Sequence, residues 1–320
     1  MARLTVTQRL DRVQRNNKAV AVVIATAKKF QEDSSTRLAA MVAFWAFFSI
    51  FPLFLLAVSL LGYLLPASTK TDVLQHVASM FPLLDPSTVG HLSGTAWTIV
   101  LGAVTALWGG TAVMRSAQFA LNNVWEVPMR DRSKLKGQLV RAVEALASIG
   151  VGLVASVLVS GFVTGSDHGV SLGIGGHIAG YALAAVLDIG LFLLAFVLLT
   201  DRRVTWRQVL PGAVLSGGAF WILEQLSSFI ISRHLHSTQS TYGHFATVIT
   251  ILWWFYLQAV ITLLGAQLNV VLDRRLYPRA LGGGRPTDGD RRALVSYPAS
   301  QLYHEGEQVD TRLAEPHQSS

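Results

Sequence analysis

The sequence contains no cysteine and little charge, since only 14% of its 320 residues are Asp, Glu, Lys or Arg. Without cysteine there is no disulfide framework, thiolate metal site, iron–sulfur cluster or cysteine nucleophile. A soluble domain carries about 25% charged residues, and a disordered protein combines high charge with low hydrophobicity. Here 51% of the residues are hydrophobic and the mean hydropathy is +0.44. The composition therefore excludes a disordered protein and argues against a soluble enzyme.

Sequence signatures of catalysis are also missing. There is no P-loop, no G-x-S-x-G and no H-E-x-x-H, which are the usual marks of nucleotide, serine-hydrolase and zinc-protease sites. His234, His236 and His244 are close in sequence, but a zinc site normally adds Cys or acidic ligands to such a group. We therefore predict that the protein is not an enzyme and binds no metal or cofactor.

Six apolar stretches are long enough to cross a bilayer, for which a helix needs about 20 residues. They are residues 38–65, 96–120, 139–165, 178–200, 209–232 and 244–272. The predicted fold class is an all-α integral membrane protein, a bundle of six transmembrane helices. Within the basic segment 1–37, the apolar run 19–27 is too short to span and is flanked by lysines, which indicates a helix lying at the membrane surface.

The basic residues predict the orientation of this bundle. With the amino terminus inside, the cytoplasmic segments 1–37, 121–141, 201–208 and 273–292 hold 22 Lys and Arg, whereas the opposite loops hold 2. Positive loops favour the cytoplasmic side, so both termini are predicted to be cytoplasmic. The loops also account for the net charge of +7, and no nucleic-acid partner is predicted. The polar, Gly- and Pro-rich tail 273–320 is predicted to be disordered.

Polar groups at membrane depth are the informative ones, because intramembrane charge is costly. Asp188 and Glu224 fall well inside the fourth and fifth stretches. They are candidates for a substrate or proton pathway, and the alternative is a hydrogen-bonded carboxyl that joins helices. Pro52 removes a backbone donor from the first stretch, and Ser49 lies where it can help to satisfy that defect. This break predicts either exposed backbone for a substrate or a packing kink.

Two arginines and two sets of small residues complete the candidates. Arg115 and Arg141 lie near the predicted cytoplasmic face, where they are expected to anchor the helices or contact lipid headgroups. Small residues at four-residue spacing allow close helix packing, within one bundle or between the subunits of a homo-oligomer. These small residues are Ser148, Gly152, Ser156 and Ser160 in the third stretch, and Gly212 and Ser216 in the fifth. Gln267 and Asn269 in the sixth stretch are expected to hydrogen-bond across helices.

The sequence resembles the YihY/BrkB family of bacterial inner-membrane proteins over residues 30–275. The motifs that carry the resemblance are AFWAFFSIFP (Ala43–Pro52), ALNNVWEVP (Ala120–Pro128), PGA (Pro211–Ala213) and the long motif Tyr242–Asn269. The resemblance implies six spans, both ends inside, and a multi-pass protein of the cell inner (plasma) membrane.

What the resemblance implies about function is a role in envelope biogenesis, with transport of an envelope component as the usual suggestion. The family has also been mislabelled as a transfer-RNA-processing ribonuclease, ribonuclease BN. A metal-dependent nuclease needs clustered His and acidic ligands, whereas the predicted cytoplasmic loops offer acids such as Glu126, Asp131 and Asp201 without a histidine. We expect a transporter or flippase-like protein that contacts membrane lipids and acts on a lipid or envelope precursor. The alternative is a non-transporting scaffold for envelope biogenesis.

Overall fold

The computed structural model describes residues 13–64, 96–164, 174–234, 243–281 and 286–299, together with residues 302, 304 and 307. No strand occurs in these ranges. Their helices are α1 (Lys18–Glu32), α2 (Ser35–Leu64), α3 (Ala96–Val124), α4 (Leu135–Thr164), α5 (Ile174–Leu198), α6 (Trp206–His234), α7 (Gly243–Asp273) and α8 (Asp288–Ala299), with a 3₁₀ turn at Met129–Asp131. The all-α prediction is thus confirmed for the described chain.

A long helix occupies each of the six apolar stretches that the sequence singles out. Helices suit such stretches because every backbone group is satisfied within the segment. Within the described residues, three of them qualify as membrane spans by length and hydropathy: Ser35–Leu56, Ile99–Val124 and Val248–Asp273. A shorter apolar segment runs over Ala182–Leu198.

The chain divides into two compact units. Unit 1 comprises Met1–Leu38, Gln118–Ile222 and Val260–Ser320, and unit 2 comprises Ala39–Ala117 and Leu223–Ala259. Each unit therefore draws its helices from distant parts of the sequence.

In unit 2, two glycines of α3 allow a close approach to α2. A Cβ added at Gly102 would lie 3.0 Å from Cα of Leu56, and one added at Gly109 would lie 3.3 Å from Cα of Ser49. The two glycines are two helical turns apart and so share one face of α3. Small residues on one face let helices pack backbone to backbone, and this face is what brings α2 and α3 together.

Pro52 lies inside α2 and does not divide it, which differs from an interrupted first span and leaves the alternative of a packing kink. The helix runs without interruption from Ser35 to Leu64. A proline inside a helix removes one hydrogen bond and its ring crowds the carbonyl four residues earlier, but membrane helices tolerate it where neighbouring groups satisfy the freed backbone. A Cβ at Gly109 would lie 3.3 Å from the proline ring, so the neighbouring helix packs closely at this point.

In unit 1, glycines again lie where helices cross. Gly152 of α4 faces Leu191 of α5, and a Cβ added there would collide with that side chain. A Cβ at Gly217 of α6 would lie 2.8 Å from the backbone of Ile189. These contacts join α4, α5 and α6 within the unit.

The α6–α7 crossing is the closest of these contacts. A Cβ at Gly212 would collide with the carbonyl oxygen of Gly265. The hydroxyl of Ser216 donates to the carbonyl of Ile261 at 3.0 Å, and the amide of Gly212 donates to Oδ1 of Asn269 at 2.6 Å. Asn269 therefore hydrogen-bonds across helices at the point where the two glycines meet.

The tail, which the sequence predicts to be disordered from residue 273, contains the helix α8. Its first turn is closed by a capping box, in which the amide of Asp290 donates to the Thr287 hydroxyl at 3.2 Å and the amide of Thr287 donates to the Asp290 carboxylate at 3.0 Å. Leu276 and Ala293 of this tail are buried within unit 1. The prediction was wrong here because it counted only apolar surface, whereas the tail docks largely through charged groups.

Candidate functional site

A buried ion-pair network joins α1 to the ends of α3 and α7. The ammonium group of Lys29 lies 2.8 Å from Oε1 of Glu126 and 2.7 Å from Oδ2 of Asp33. Arg274 pairs with the other oxygen of Glu126 and donates to the carbonyl of Trp125 at 2.6 Å. The Lys29 side chain is fully buried and that of Glu126 is 3% exposed. We call Lys29, Asp33, Glu126, Gln267 and Arg274 the charged cluster.

Within this cluster, Asp33 accepts a hydrogen bond from Gln267, a residue inside α7. Nε2 of Gln267 donates to Asp33 at 2.7 Å and to the Ser35 hydroxyl at 2.9 Å. Burial raises the pKa of Asp33 above its ordinary value of 3.8, the charge of Glu126 adds to that rise, and Lys29 and Gln267 oppose it. Gln267 thus hydrogen-bonds across helices, and its partner is the carboxylate of Asp33 at the end of α1.

At the charged cluster, each of three helices is followed by a non-glycine residue whose backbone lies in the left-handed region. Ser34, Glu126 and Arg275 follow the ends of α1, α3 and α7 with φ of 52°, 52° and 53°. After α3, the amide of Val127 donates to the carbonyl of Asn122 at 2.9 Å, as in a Schellman motif. Glycine is the usual residue there, because a side chain costs energy in this conformation. The turns bring Asp33, Glu126 and Arg274 together.

Asp201, in the turn before α6, accepts from three other side chains. Nδ2 of Asn122 donates to it at 2.7 Å and Nη1 of Arg141 donates at 2.5 Å. The hydroxyl of Ser133 makes a third, short bond, and the amide of Asp201 donates back to Asn122 at 2.9 Å. The Asp201 side chain is 6% exposed. This hub ties the α3–α4 loop to the α5–α6 turn.

The tail attaches to α1 through a second set of ion pairs, which we call the tail clasp. Nη2 of Arg279 donates to both carboxylate oxygens of Glu32 at 2.8 Å, and its Nε donates to Asp290 at 2.8 Å. Lys28 pairs with Asp290 at 3.1 Å. The hydroxyl of Tyr297 donates to Glu32, and its ring centroid is 5.2 Å from the ammonium group of Lys29. Tyr297 thus contacts both the tail clasp and the charged cluster.

In the tail clasp, the pKa of Asp290 is lowered and the pKa of Tyr297 is raised. Burial alone would raise the pKa of Asp290, but hydrogen bonds from Ala280, Thr287 and Lys28 lower it well below its ordinary value of 3.8. Burial, followed by the hydrogen bond to Glu32 and the charge of that carboxylate, raises the pKa of Tyr297 well above 10.0. At neutral pH the clasp therefore holds an ionised Asp290 and a protonated Tyr297.

A cavity of about 310 Å³ opens beside the charged cluster. It is lined by Trp125, Glu126, Val127, Pro128, Asp131, Asp201, Arg202 and Arg274. Most of its charged groups already have partners: Glu126 and Arg274 bind each other, Asp201 binds Arg141, and Arg202 lies over the ring of Trp125 at 5.5 Å. In the described residues, no group of three His, Asp or Glu side chains could hold a metal ion.

Of the two predicted pathway acids, Asp188 lies near the middle of α5 and is 4% exposed. Its chain neighbour Ile189 packs against Gly217 of α6, so this part of α5 lies against α6 in unit 1. Glu224 lies in α6, and its side chain is outside the described residues.

The other predicted pathway residues, Ser49 and Pro52, face α3 across Gly109. The hydroxyl of Ser49 donates to the carbonyl of Ala46 at 2.7 Å, two residues before Phe48, whose carbonyl Pro52 leaves without its usual donor.

The predicted headgroup arginines differ in their surroundings. Arg115 is exposed on α3. Arg141 is 40% exposed and bound to Asp201, which gives it a structural role that the sequence did not indicate.

Among the predicted packing residues, Gly152, Gly212 and Ser216 lie at helix crossings. Ser148 is exposed, and the buried face of α4 there is formed by Ala142 and Ala145. Ser156 and Ser160 lie in α4 with side chains outside the described residues.

Sequence reasoning missed the charged cluster, the Asp201 hub and the tail clasp. Local signals existed: Asn122, Trp125 and Glu126 all belong to the quoted motif ALNNVWEVP, and Thr287-x-x-Asp290 is a capping-box pattern. The pairings themselves leave no local signal, because the partners lie far apart in sequence.

Similar proteins are named as membrane proteins. The chain is a multi-pass bacterial membrane protein. Residues 26–289 match the family described as Virulence factor BrkB, and the chain belongs to that family. The match includes the charged cluster and Asp188, and it extends beyond residue 275, where the resemblance noted from the motifs ends.

Similar proteins carry general names. The Bacillus subtilis ribonuclease-like protein YfkH is 28% identical over 252 residues, 74% of this chain and 89% of that protein. A UPF0761 membrane protein of Nitrosospira multiformis is 30% identical over 184 residues, 56% of this chain and 41% of that protein. One from Alkalilimnicola ehrlichii is 24% identical over 288 residues, 86% of this chain and 63% of that protein. The chain thus spans less than two thirds of the two UPF0761 relatives. No solved structure matches.

Proposed function

We propose that this protein transports or flips a lipid or another envelope component across the bacterial cell membrane and is not an enzyme. The observation that carries the proposal is Asp188, a carboxyl 4% exposed near the middle of an apolar helix. Ionisable groups at membrane depth are costly, and they mark substrate and proton pathways in pumps and transporters. Gly152 of α4 faces Leu191 and Gly217 of α6 faces Ile189, so both helices pack against the part of α5 that carries Asp188.

The proposal includes six spans with both termini in the cytoplasm. Its support is the meeting of all four predicted cytoplasmic segments in unit 1. Lys29 reaches Glu126, Arg141 reaches Asp201, and Arg274 reaches Glu126. Segments that touch in this way lie on the same side of a membrane, and the basic residues favour the cytoplasmic side.

Labelling of single introduced cysteines tests the topology, and the cysteine-free chain makes such labels clean. In intact cells, an impermeant thiol reagent should fail to reach Ser133→Cys and should react with Ser237→Cys. Reaction of both positions from outside, or of neither, would contradict the six-span arrangement.

Transport is tested in proteoliposomes loaded with fluorescent lipid or envelope-precursor analogues, with and without an imposed proton gradient. We expect Asp188→Asn and Glu224→Gln to keep expression and helix content but to lose transport, since an amide keeps the size and cannot exchange a proton. The matched control is Asp288→Asn, because Asp288 is exposed in the first turn of α8 and does not line the cavity. Full transport by the Asp188→Asn, Glu224→Gln double variant would remove these carboxyls from the mechanism.

The alternative is a non-transporting scaffold for envelope biogenesis. In that case the wild type would move no lipid in proteoliposomes. Deletion of the tail would abolish function in cells, and both amide variants would leave it intact.

A further inference from the structure

The helix α1 buries a lysine and exposes an apolar stripe. Its inward stripe is Ala21, Ala25 and Lys29, which are 2%, 0% and 0% exposed. Its outward stripe, also at four-residue spacing, is Ala19, Val23 and Ala27, all exposed, with Val23 at 67%. A soluble helix places apolar residues inward and charges outward. In α1, by contrast, Lys29 is fully buried and Val23 is 67% exposed.

The inward stripe is held by the protein itself. Lys29 is bound by Glu126 and Asp33, and the tail clasp covers the neighbouring positions through Lys28 and Glu32. These contacts fix the rotation of α1 about its axis. The apolar stripe is therefore presented outward by the fold and cannot turn inward without breaking buried ion pairs.

The position of α1 in the chain places it next to the membrane. Its last residue is followed by two residues, Asp33 and Ser34, before α2 and the first membrane-span candidate begin at Ser35. Two linking residues reach about 7 Å at most, so the end of α1 lies at the boundary of the membrane. At 1.5 Å per residue, its 15 residues give a helix of about 22 Å, too short to cross a hydrocarbon core of about 30 Å.

We propose that the outward face of α1 docks on the surface of an anionic lipid bilayer. Ala19, Val23 and Ala27 enter the region between headgroups and acyl chains. Arg15, exposed just before this stripe, lies beside the lipid phosphates, whereas the ammonium group of Lys18 lies 5.7 Å from the ring centroid of Tyr277. Interfacial helices of other proteins combine an apolar face with basic residues in the same way, but here the opposite face is occupied by the protein's own ion pairs. One face of α1 thus contacts the bilayer, and the opposite face contacts the charged cluster.

Nitroxide labels on single introduced cysteines test the proposal with the full chain in vesicles of phosphatidylethanolamine and phosphatidylglycerol at three to one. Collisions with oxygen report lipid exposure, and collisions with a water-soluble nickel chelate report water exposure. We expect labels at Ala19→Cys, Val23→Cys and Ala27→Cys to have a ratio of oxygen to nickel accessibility several-fold higher than a label at Asp131→Cys. The Asp131 site is the matched exposed loop control.

Nickel accessibility at position 23 equal to that at position 131 would overturn the proposal, because the face would then be in water. Dipolar broadening at position 23 that disappears on dilution with unlabelled protein would also overturn it, since a second copy would be the partner. A further variant, Val23→Glu, should keep its thermal-unfolding midpoint in detergent, where the face has no protein partner. In vesicles it should shift the label at position 27 toward nickel accessibility, and an unchanged label would count against lipid docking.

Discussion

The ammonium group of Lys29 lies 2.8 Å from the carboxylate of Glu126, although the two residues are 97 positions apart in the chain. Both side chains are nearly or fully buried, and Arg274 binds the second oxygen of the same carboxylate. One glutamate therefore ties the helix before the first span to the ends of α3 and α7. Because buried charges are stable only with their partners, this contact makes the three helix ends depend on one another.

Removal of one partner from the charged cluster should destabilise the protein strongly. In Lys29→Met, the carboxylate of Glu126 stays buried and loses one of its two cations, and breaking a buried pair in this way costs about 3–5 kcal/mol. The thermal-unfolding midpoint in detergent should fall markedly. The matched control is Lys136→Met, because Lys136 is an exposed lysine in the first turn of α4. Equal midpoints for the two variants would show that the network does not stabilise the fold.

The left-handed turn after α7 should tolerate glycine better than its native residue. Arg275 is exposed with φ of 53°, and a side chain in this conformation costs about 1–2 kcal/mol. Arg275→Gly should therefore raise the unfolding midpoint. Arg274→Gly, one position earlier, should lower it, because Arg274 binds Glu126 and the carbonyl of Trp125. Both changes remove one arginine, so a charge effect alone would move the two midpoints in the same direction.

Two glycines of α6 should respond oppositely to alanine. A methyl group at Gly212 would collide with the carbonyl of Gly265, whereas one at Gly218 would meet nothing within 4 Å. Overpacking typically costs about 1–3 kcal/mol, and glycine inside a helix costs about 0.5–1 kcal/mol relative to alanine. Gly212→Ala should lower the midpoint of thermal unfolding and Gly218→Ala should leave or raise it. If Gly212→Ala were as stable as Gly218→Ala, the α6–α7 crossing would not depend on close backbone approach.

Acid should release the tail clasp. The pKa of Asp290 is lowered in the folded protein, so its stabilising contribution is complete above the ordinary value of 3.8 and is lost as the pH falls below it. A nitroxide at Val295→Cys, an exposed position on α8 (65%), should be immobilised at pH 7 and become progressively more mobile as the pH falls from 3.8 toward the lowered pKa of the folded protein.

Asp290→Asn should make the same label mobile at pH 7, because the neutral amide no longer pairs with Lys28 and Arg279. Asp288→Asn is the control, since Asp288 is exposed in the same first turn and should leave the label immobilised. A label that stays immobile in Asp290→Asn would show that the tail docks without its ion pairs.

The positions of the long helices could be predicted from the sequence alone. Predicted stretches such as 38–65 and 244–272 became α2 at Ser35–Leu64 and α7 at Gly243–Asp273. Long apolar runs form helices because the hydrogen bonds of a helix join residues four apart, so each segment satisfies its own backbone. The all-α class and the membrane setting follow from this local rule.

The pairing of charges, the direction of α1 and the docking of the tail were decided only by the tertiary structure. Lys29 and Lys28 are adjacent in sequence, yet one is fully buried against Glu126 and the other, 30% exposed, binds Asp290. Composition counts both simply as cytoplasmic charge. Whether a lysine is inside or outside depends on carboxylates 97 and 262 positions away, and the free energy of an ion pair depends on burial and distance, which only the folded chain sets.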